Sequence, residues 1–151
     1  HALTKTGLFM AVGIMMLVSL DARLSSLAGL GRQMPWTSAA VVITAFSLVG
    51  IPGTAGFISK WALLDAALAQ EAYLIAAVVV VGSLLACLYL LRLLDVMYFQ
   101  VSEKPRESIT IPIHMVTALW LLAIACIWFG LSTEYSLSVA KLAAASMMES
   151  L

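Results

Sequence analysis

The sequence predicts an all-α fold: a polytopic transmembrane helix bundle with one discontinuous helix, about four membrane segments and a C-terminal tail. Three observations predict it. Of 151 residues, 63% are hydrophobic and 11% charged, against roughly half and a quarter in soluble domains. The apolar residues gather into four long runs separated by short polar connections. One run is too long for a single crossing, and Gly50-Ile51-Pro52-Gly53-Thr54-Ala55-Gly56 interrupts it. A net charge of zero offers nucleic acid no electrostatic footprint.

The first run, residues 2–20, suits one crossing, which takes about 20 residues. The second, 37–69, has 33 residues. As one straight helix it would reach ~50 Å, well beyond a ~30 Å hydrocarbon core. The third covers 73–99 and the fourth 111–131. Cys87 and Cys126 lie inside apolar runs and read as small hydrophobes, not as a disulfide. The tail, 132–151, is of mixed polarity; Tyr135, Leu137, Ala140, Leu142 and Ala144 predict an interfacial helix there. The chain opens on His1 without a methionine or a basic signal-peptide region. The expectation is therefore that it is the C-terminal part of a longer chain: 1–131 in the bundle, 132–151 a tail.

Charge gives the orientation. If each run crosses once, the first and third connections share a side and hold Arg23, Arg32, Arg92, Lys104 and Arg106. The other side holds Lys141. Cytoplasmic loops are enriched in Lys and Arg, so loops 21–36 and 100–110 are expected in the cytoplasm and the C-terminus outside.

The interruption carries the chemistry. Pro52 lacks an N–H and clashes with the preceding turn, and Ile51 before it is pushed from helical angles. Gly50, Gly53 and Gly56 remove bulk and tolerate unusual angles. The prediction is two half-helices, about 37–49 and 57–69. Unpaired backbone at membrane depth survives only in a protein interior or beside water, and discontinuous helices mark ion paths in transporters.

Lys60 then falls near the start of the second half-helix. Its own helix dipole and the lack of bulk water both oppose a fixed charge, as a group that gives up and regains a proton requires. The competing reading is a lysine that snorkels to the headgroups. Lys60 is nine residues from Ala69 and twenty-three from Thr37, so it lies away from both ends. Ser59 and Asp65 are its polar neighbours in sequence; five residues is a poor spacing for a Lys60–Asp65 pair.

Lys5 is read as a second buried cation. It shares a helical face with His1, four residues earlier, and histidine exchanges protons near neutrality. Thr4 and Thr6 add hydroxyls. The three groups His1, Lys5 and Lys60 read as stations of a proton relay, with snorkelling an equal alternative for Lys5. Arg92 and Asp95 have the spacing of a structural pair, and His114, Trp120 and Trp128 read as interfacial or packing residues. No metal-ligand motif, haem pair, phosphate loop or nucleophile–base set appears, so no cofactor and no catalytic centre is expected in this chain.

These segments resemble one family. His1-Ala2-Leu3-Thr4-Lys5-Thr6-Gly7-Leu8-Phe9 resembles the HAxxKAxLF segment of the antiporter-like subunits of respiratory complex I, a family that includes subunits of Mrp-type cation/proton antiporters and energy-converting hydrogenases. Residues 27–35, LAGLGRQMP, resemble its LxGLGRRMP loop; residues 47–60 resemble its SLxGxPPxxGFxSK broken helix; Tyr89-Leu90-Leu91-Arg92 resembles its YxxR helix end. Gly53 stands where the family often has a second proline, and Thr6 where it often has alanine. The resemblance implies a proton channel of two inverted five-helix repeats, this chain supplying most of the second and a trailing helix. It puts Lys5 on a central polar axis, Lys60 in the extracytoplasmic half-channel and His1 as the link to the first repeat.

The function read from all this is proton translocation, with Na+/H+ antiport as a variant, in a multisubunit complex of an energy-transducing membrane. Partners are other membrane subunits and the lipid bilayer. The host would be a complex I-like NADH:quinone translocase, a hydrogenase-type translocase or an Mrp antiporter. Trp61 after the lysine leans the reading toward a D-type antiporter or hydrogenase-like relative. The alternatives are a structural membrane subunit without an ion path, and a small-molecule secondary transporter.

Overall fold

The computed structural model describes residues 1–19, 21, 23–101, 111–132, 134, 138 and 146. Tyr135, Leu137, Ala140, Leu142 and Ala144, which predict the tail helix, and the charged loop from Glu103 to Glu107 lie outside the described residues. The described secondary structure is helical throughout: α1 Ala2–Ser19, a 3₁₀ turn Leu24–Leu27, α2 Leu30–Gln33, α3 Pro35–Val49, α4 Ala55–Ala69, α5 Tyr73–Leu94 running into a π turn Asp95–Phe99, and α6 Ile113–Leu131. The segments α1, α5 with its π turn, and α6 are long and apolar enough to cross a membrane. At fifteen residues each, α3 and α4 fall short of the ~20 a crossing needs.

The core is the mutual packing of α1, α3 and α6. Lipid tails are as apolar as leucine, so membrane helices associate through close packing and small interface residues. Here those are Gly7 and Ala11 on α1, Ala40 and Thr44 on α3, and Ala123 and Cys126 on α6, with Ile14, Met15 and Leu119 filling between them. A Cβ on Gly7 would meet Thr44 Cγ2 at 2.7 Å. Thr44 turns its hydroxyl back to the Ala40 and Val41 carbonyls, so only its methyl faces α1. Helix α4 packs on α5 and α6, and α5 also touches α3. The outer face of α5 stays open: Leu84, Leu85 and Leu88 are more than half exposed, an apolar surface for acyl chains or other membrane helices.

Three sequence expectations change. Residues 21–36 read as a plain connection, yet Leu27, Ala28 and Leu30 are buried there. Gly29, at φ +74°, donates its N–H to the Val96 carbonyl at 3.2 Å. A Cβ on Gly31 would lie 2.9 Å from the Met97 carbonyl and the Tyr98 ring. The GLG of this segment thus lets the loop lie flat against the end of α5. That end is a π turn, not a continued α-helix, and it changes the second expectation. Asp95 takes a hydrogen bond from Gln100 Nε2 at 3.1 Å, five residues on, and forms no ion pair with Arg92. Residues five apart face each other in π geometry. Third, Lys5, inside the membrane-crossing α1, is not packed among the described helices; its neighbour Thr4 takes the inward face. Trp120 packs edge-on against Trp36, centroids 6.0 Å apart. The described cysteines are both free.

Candidate functional site

The interruption begins where the sequence places it. Helix α3 ends at Val49 because Gly50 turns to φ +89°, a left-handed conformation that costs a side chain about 1 kcal/mol or more. Ile51 N–H closes back on the Phe46 carbonyl at 3.1 Å, the six-to-one bond of a Schellman turn. Pro52 follows, outside any helix, and Gly53 turns left-handed again at φ +88°. Thr54 precedes α4 in extended geometry, and its hydroxyl donates back to the Ile51 carbonyl at 2.7 Å. Five residues, 50–54, separate the two helices.

Ending a helix leaves its last carbonyls without partners, and starting one leaves its first N–H groups so. Here each helix supplies the other. The Lys60 ammonium on α4 reaches back to the end of α3 and donates to the Leu48 and Val49 carbonyls, both at 2.9 Å. Ser47 on α3 accepts the Gly56 N–H of α4 on its Oγ at 3.2 Å. The sequence reading set Lys60 against the positive end of its own helix; its head lies at the negative end of the other one, where a cation is favoured. The lysine stem runs beside Gly50, where a Cβ would lie 2.9 Å from Lys60 Cδ. A third bond runs from Nζ to Ser83 Oγ on α5, at 3.0 Å. The three N–H donors of the ammonium thus meet three acceptors from two other helices.

Ser47 continues the polar line. Its Oγ lies 3.0 Å from Thr4 Oγ1 on α1, and Thr4 Oγ1 lies 3.8 Å from Cys126 Sγ on α6. Thr4 and Ser47 are both almost fully buried. Close backbone approaches seal the junction. A Cβ on Gly56 would fall 1.7 Å from the Ser47 carbonyl oxygen, and one on Gly130 of α6 2.4 Å from the Gly53 oxygen and Thr54 Cα. One hydroxyl–hydroxyl bond in a membrane bundle contributes about 1 kcal/mol. Thr4→Val is accordingly expected to lower unfolding stability by about that much without undoing the fold, as measured by thermal unfolding of the full-length protein in detergent.

The other candidates spread out. Lys5 and His1 are exposed, and the Lys5 side chain touches no described polar group. Thr4 approaches the interruption through Ser47, so the structure brings the residue beside Lys5, not Lys5 itself, into the site. Ser59 donates to the Gly56 carbonyl at 3.1 Å. Asp65 is exposed, with no ion pair to Lys60. Among the described residues no cluster of His, Cys, Asp or Glu could hold a metal. Sequence reasoning missed Ser47, Ser83 and Gly130 as parts of this site. Ser47 had one signal, its place in the family-like segment; Ser83 had none.

An all-helical chain with membrane-crossing segments, folded around a polar helix interruption, is a polytopic integral membrane protein. Its residues 1–86 match the transmembrane family described as NADH:quinone oxidoreductase/Mrp antiporter, and the chain belongs to that family. It is 32% identical over 151 residues to NADH-quinone oxidoreductase subunit N of Desulforudis audaxviator, covering 91% of this chain and 30% of that one. It is 31% identical over 153 residues to F(420)H(2) dehydrogenase subunit N of Methanosarcina mazei, covering 95% and 31%. The chain therefore spans about a third of the length of these curated relatives. Among solved structures, the Mrp complex from Dietzia sp. superposes with a TM-score of 0.81 over 91% of this chain and 34% of that one; at 24% identity this likeness concerns the fold. Two of the three branches named by the sequence resemblance, complex I-like and Mrp, are represented among these matches.

Proposed function

We propose that this chain is part of a proton-translocating subunit of a multisubunit membrane complex, and that Lys60 is the group in it that takes up and releases the proton. The observation that carries the reading is the set of three bonds from Lys60 Nζ across the interruption to Leu48, Val49 and Ser83. Intramembrane ionisable residues are costly and mark ion and proton pathways, and interrupted helices surround such sites in transporters. The buried hydroxyls of Thr4 and Ser47 meet beside the interruption; a path onward through Lys5 and His1 rests on the family resemblance of residues 1–9. Those two are exposed here, and the proposal has groups of the longer subunit meet them. Residues 1–131 then form the second repeat and a trailing helix, and 132–151 a tail. Loops 21–36 and 100–110 face the cytoplasm, on the Lys/Arg asymmetry. The partners are other membrane subunits of a complex in an energy-transducing membrane, a reading that the relatives' names support.

The test is Lys60→Ala in the full-length subunit within its complex, scored for proton flux and for assembly. Flux is expected to fall by about a hundredfold, the scale of a lost acid–base group, at unchanged assembly. Sodium flux measured beside it distinguishes antiport from proton movement alone. Full flux from the assembled variant would sink the proposal.

A second reading has a specific observation behind it. Lys60 caps the end of α3, and a cap alone is a structural role. It needs a permanent cation and no proton exchange, which separates the two readings experimentally.

A further inference from the structure

Lys60 has three partners in this structure, and they differ in kind. The Leu48 and Val49 groups are carbonyls, which only accept hydrogen bonds. Ser83 is a hydroxyl, which accepts and donates. We infer that the Ser83 hydroxyl is the group through which the proton enters and leaves Lys60; the inference rests on the relay role proposed for that lysine.

The hydrogen-bond inventory carries it. A charged ammonium has three N–H donors, and the two carbonyls and Ser83 Oγ accept all three. A neutral amine has two N–H donors and one lone pair. The two carbonyls still accept two N–H bonds, but neither can donate to the lone pair. Ser83 O–H can. The same three atoms therefore satisfy both protonation states, with one hydroxyl turned around between them. Lys60 and Ser83 are half-buried among the described helices; where water is kept out, an orphaned polar group costs roughly 1–3 kcal/mol, so a cradle of three carbonyls would resist the neutral state there and this one does not. Among the described residues no carboxylate forms an ion pair with Lys60.

The step balances. As Lys60 releases its proton, the N–H bond that points at Ser83 breaks and a new O–H bond forms on Oγ. The hydroxyl's former O–H bond breaks, and that proton passes to a water molecule on the far side. The product is a neutral amine accepting from Ser83 O–H. Uptake is the reverse. No electron moves and no other reactant is needed.

Ser83 comes from α5, and the interruption belongs to α3 and α4. A third helix thus provides the group that can pass the proton on, so the site is incomplete without α5 in its present register.

The experiment compares Ser83→Ala, Ser83→Val and Ser83→Thr in the full-length subunit within its complex, with Lys60→Ala alongside, each scored for proton flux per assembled complex. Threonine keeps the hydroxyl; valine has its shape without it. Ser83→Thr is expected to transport close to wild type, whereas Ser83→Ala and Ser83→Val lose about tenfold or more while assembling normally. A merely structural role would be met by valine as well as by threonine. Equal flux from the alanine and threonine variants overturns the inference, whatever its level. If Lys60→Ala is silent in that case, the relay role of Lys60 stands and only Ser83 is lost; if Lys60→Ala also transports, the relay reading falls with it.

Discussion

Gly56→Ala is expected to unfold the junction between α3 and α4, with a loss of about 3 kcal/mol or more and little assembled complex. The added Cβ would lie 1.7 Å from the Ser47 carbonyl oxygen and 2.8 Å from its carbon. Both are backbone atoms, so no rotamer change relieves the clash and the two helices must separate. Separation breaks the Gly56 N–H to Ser47 Oγ bond and draws Lys60 away from the Leu48 and Val49 carbonyls. Several backbone groups then lose partners where water does not replace them. Gly82→Ala is the control: a Cβ there meets nothing within 4 Å, and alanine is the better helix former. Thermal unfolding of the two full-length variants compares them directly. Similar midpoints for both would mean that α3 and α4 do not approach as closely as described.

The second large effect is on transport. Lys60→Arg is expected to assemble and yet to lose proton flux by about a hundredfold. Arginine is a cation of similar reach with more donors, so it can still serve the carbonyls at the end of α3. It does not release its proton in proteins. A cap would survive this substitution and a relay would not. If Lys60→Arg transports like wild type while Lys60→Ala fails to assemble, Lys60 is a structural cap and the proposed proton path does not pass through it.

The interruption was legible in the sequence because its causes are local. Pro52 removes a donor and Gly50 permits the left-handed turn whatever surrounds them. The predicted half-helices, 37–49 and 57–69, differ from the observed Pro35–Val49 and Ala55–Ala69 by two residues at each start. Four apolar runs were legible from the order of residues along the chain. The partners of Lys60 were not. The lysine stem can swing over several ångströms, and where its head comes to rest depends on α5, whose Ser83 is twenty-three residues away in sequence. Reciprocal capping was hidden too, because Ser47 and Gly56 lie in different helices and share no helical spacing. The folded loop was missed since a 3₁₀ turn and α2, four residues each, are too short to repeat a hydrophobic period. Its GLG segment was noticed as a family-like motif, but its physical role needs the end of α5 beside it. For Lys5, an apolar run with residues of similar character all round could not say which face meets α3; Thr4 holds that face, and Lys5, the next residue round the helix, points elsewhere.

The central claim is that Lys60 changes protonation state while it transports. The nitrogen resonance of ¹⁵Nζ-lysine distinguishes ammonium from amine, and comparison with Lys60→Arg assigns the Lys60 signal. Recorded for the full-length subunit in its complex and in lipid, with the driving force on and off, the account predicts both an ammonium and an amine signal for Lys60, their ratio shifting with the driving force. A single ammonium signal under both conditions, from a complex that is pumping, would contradict it.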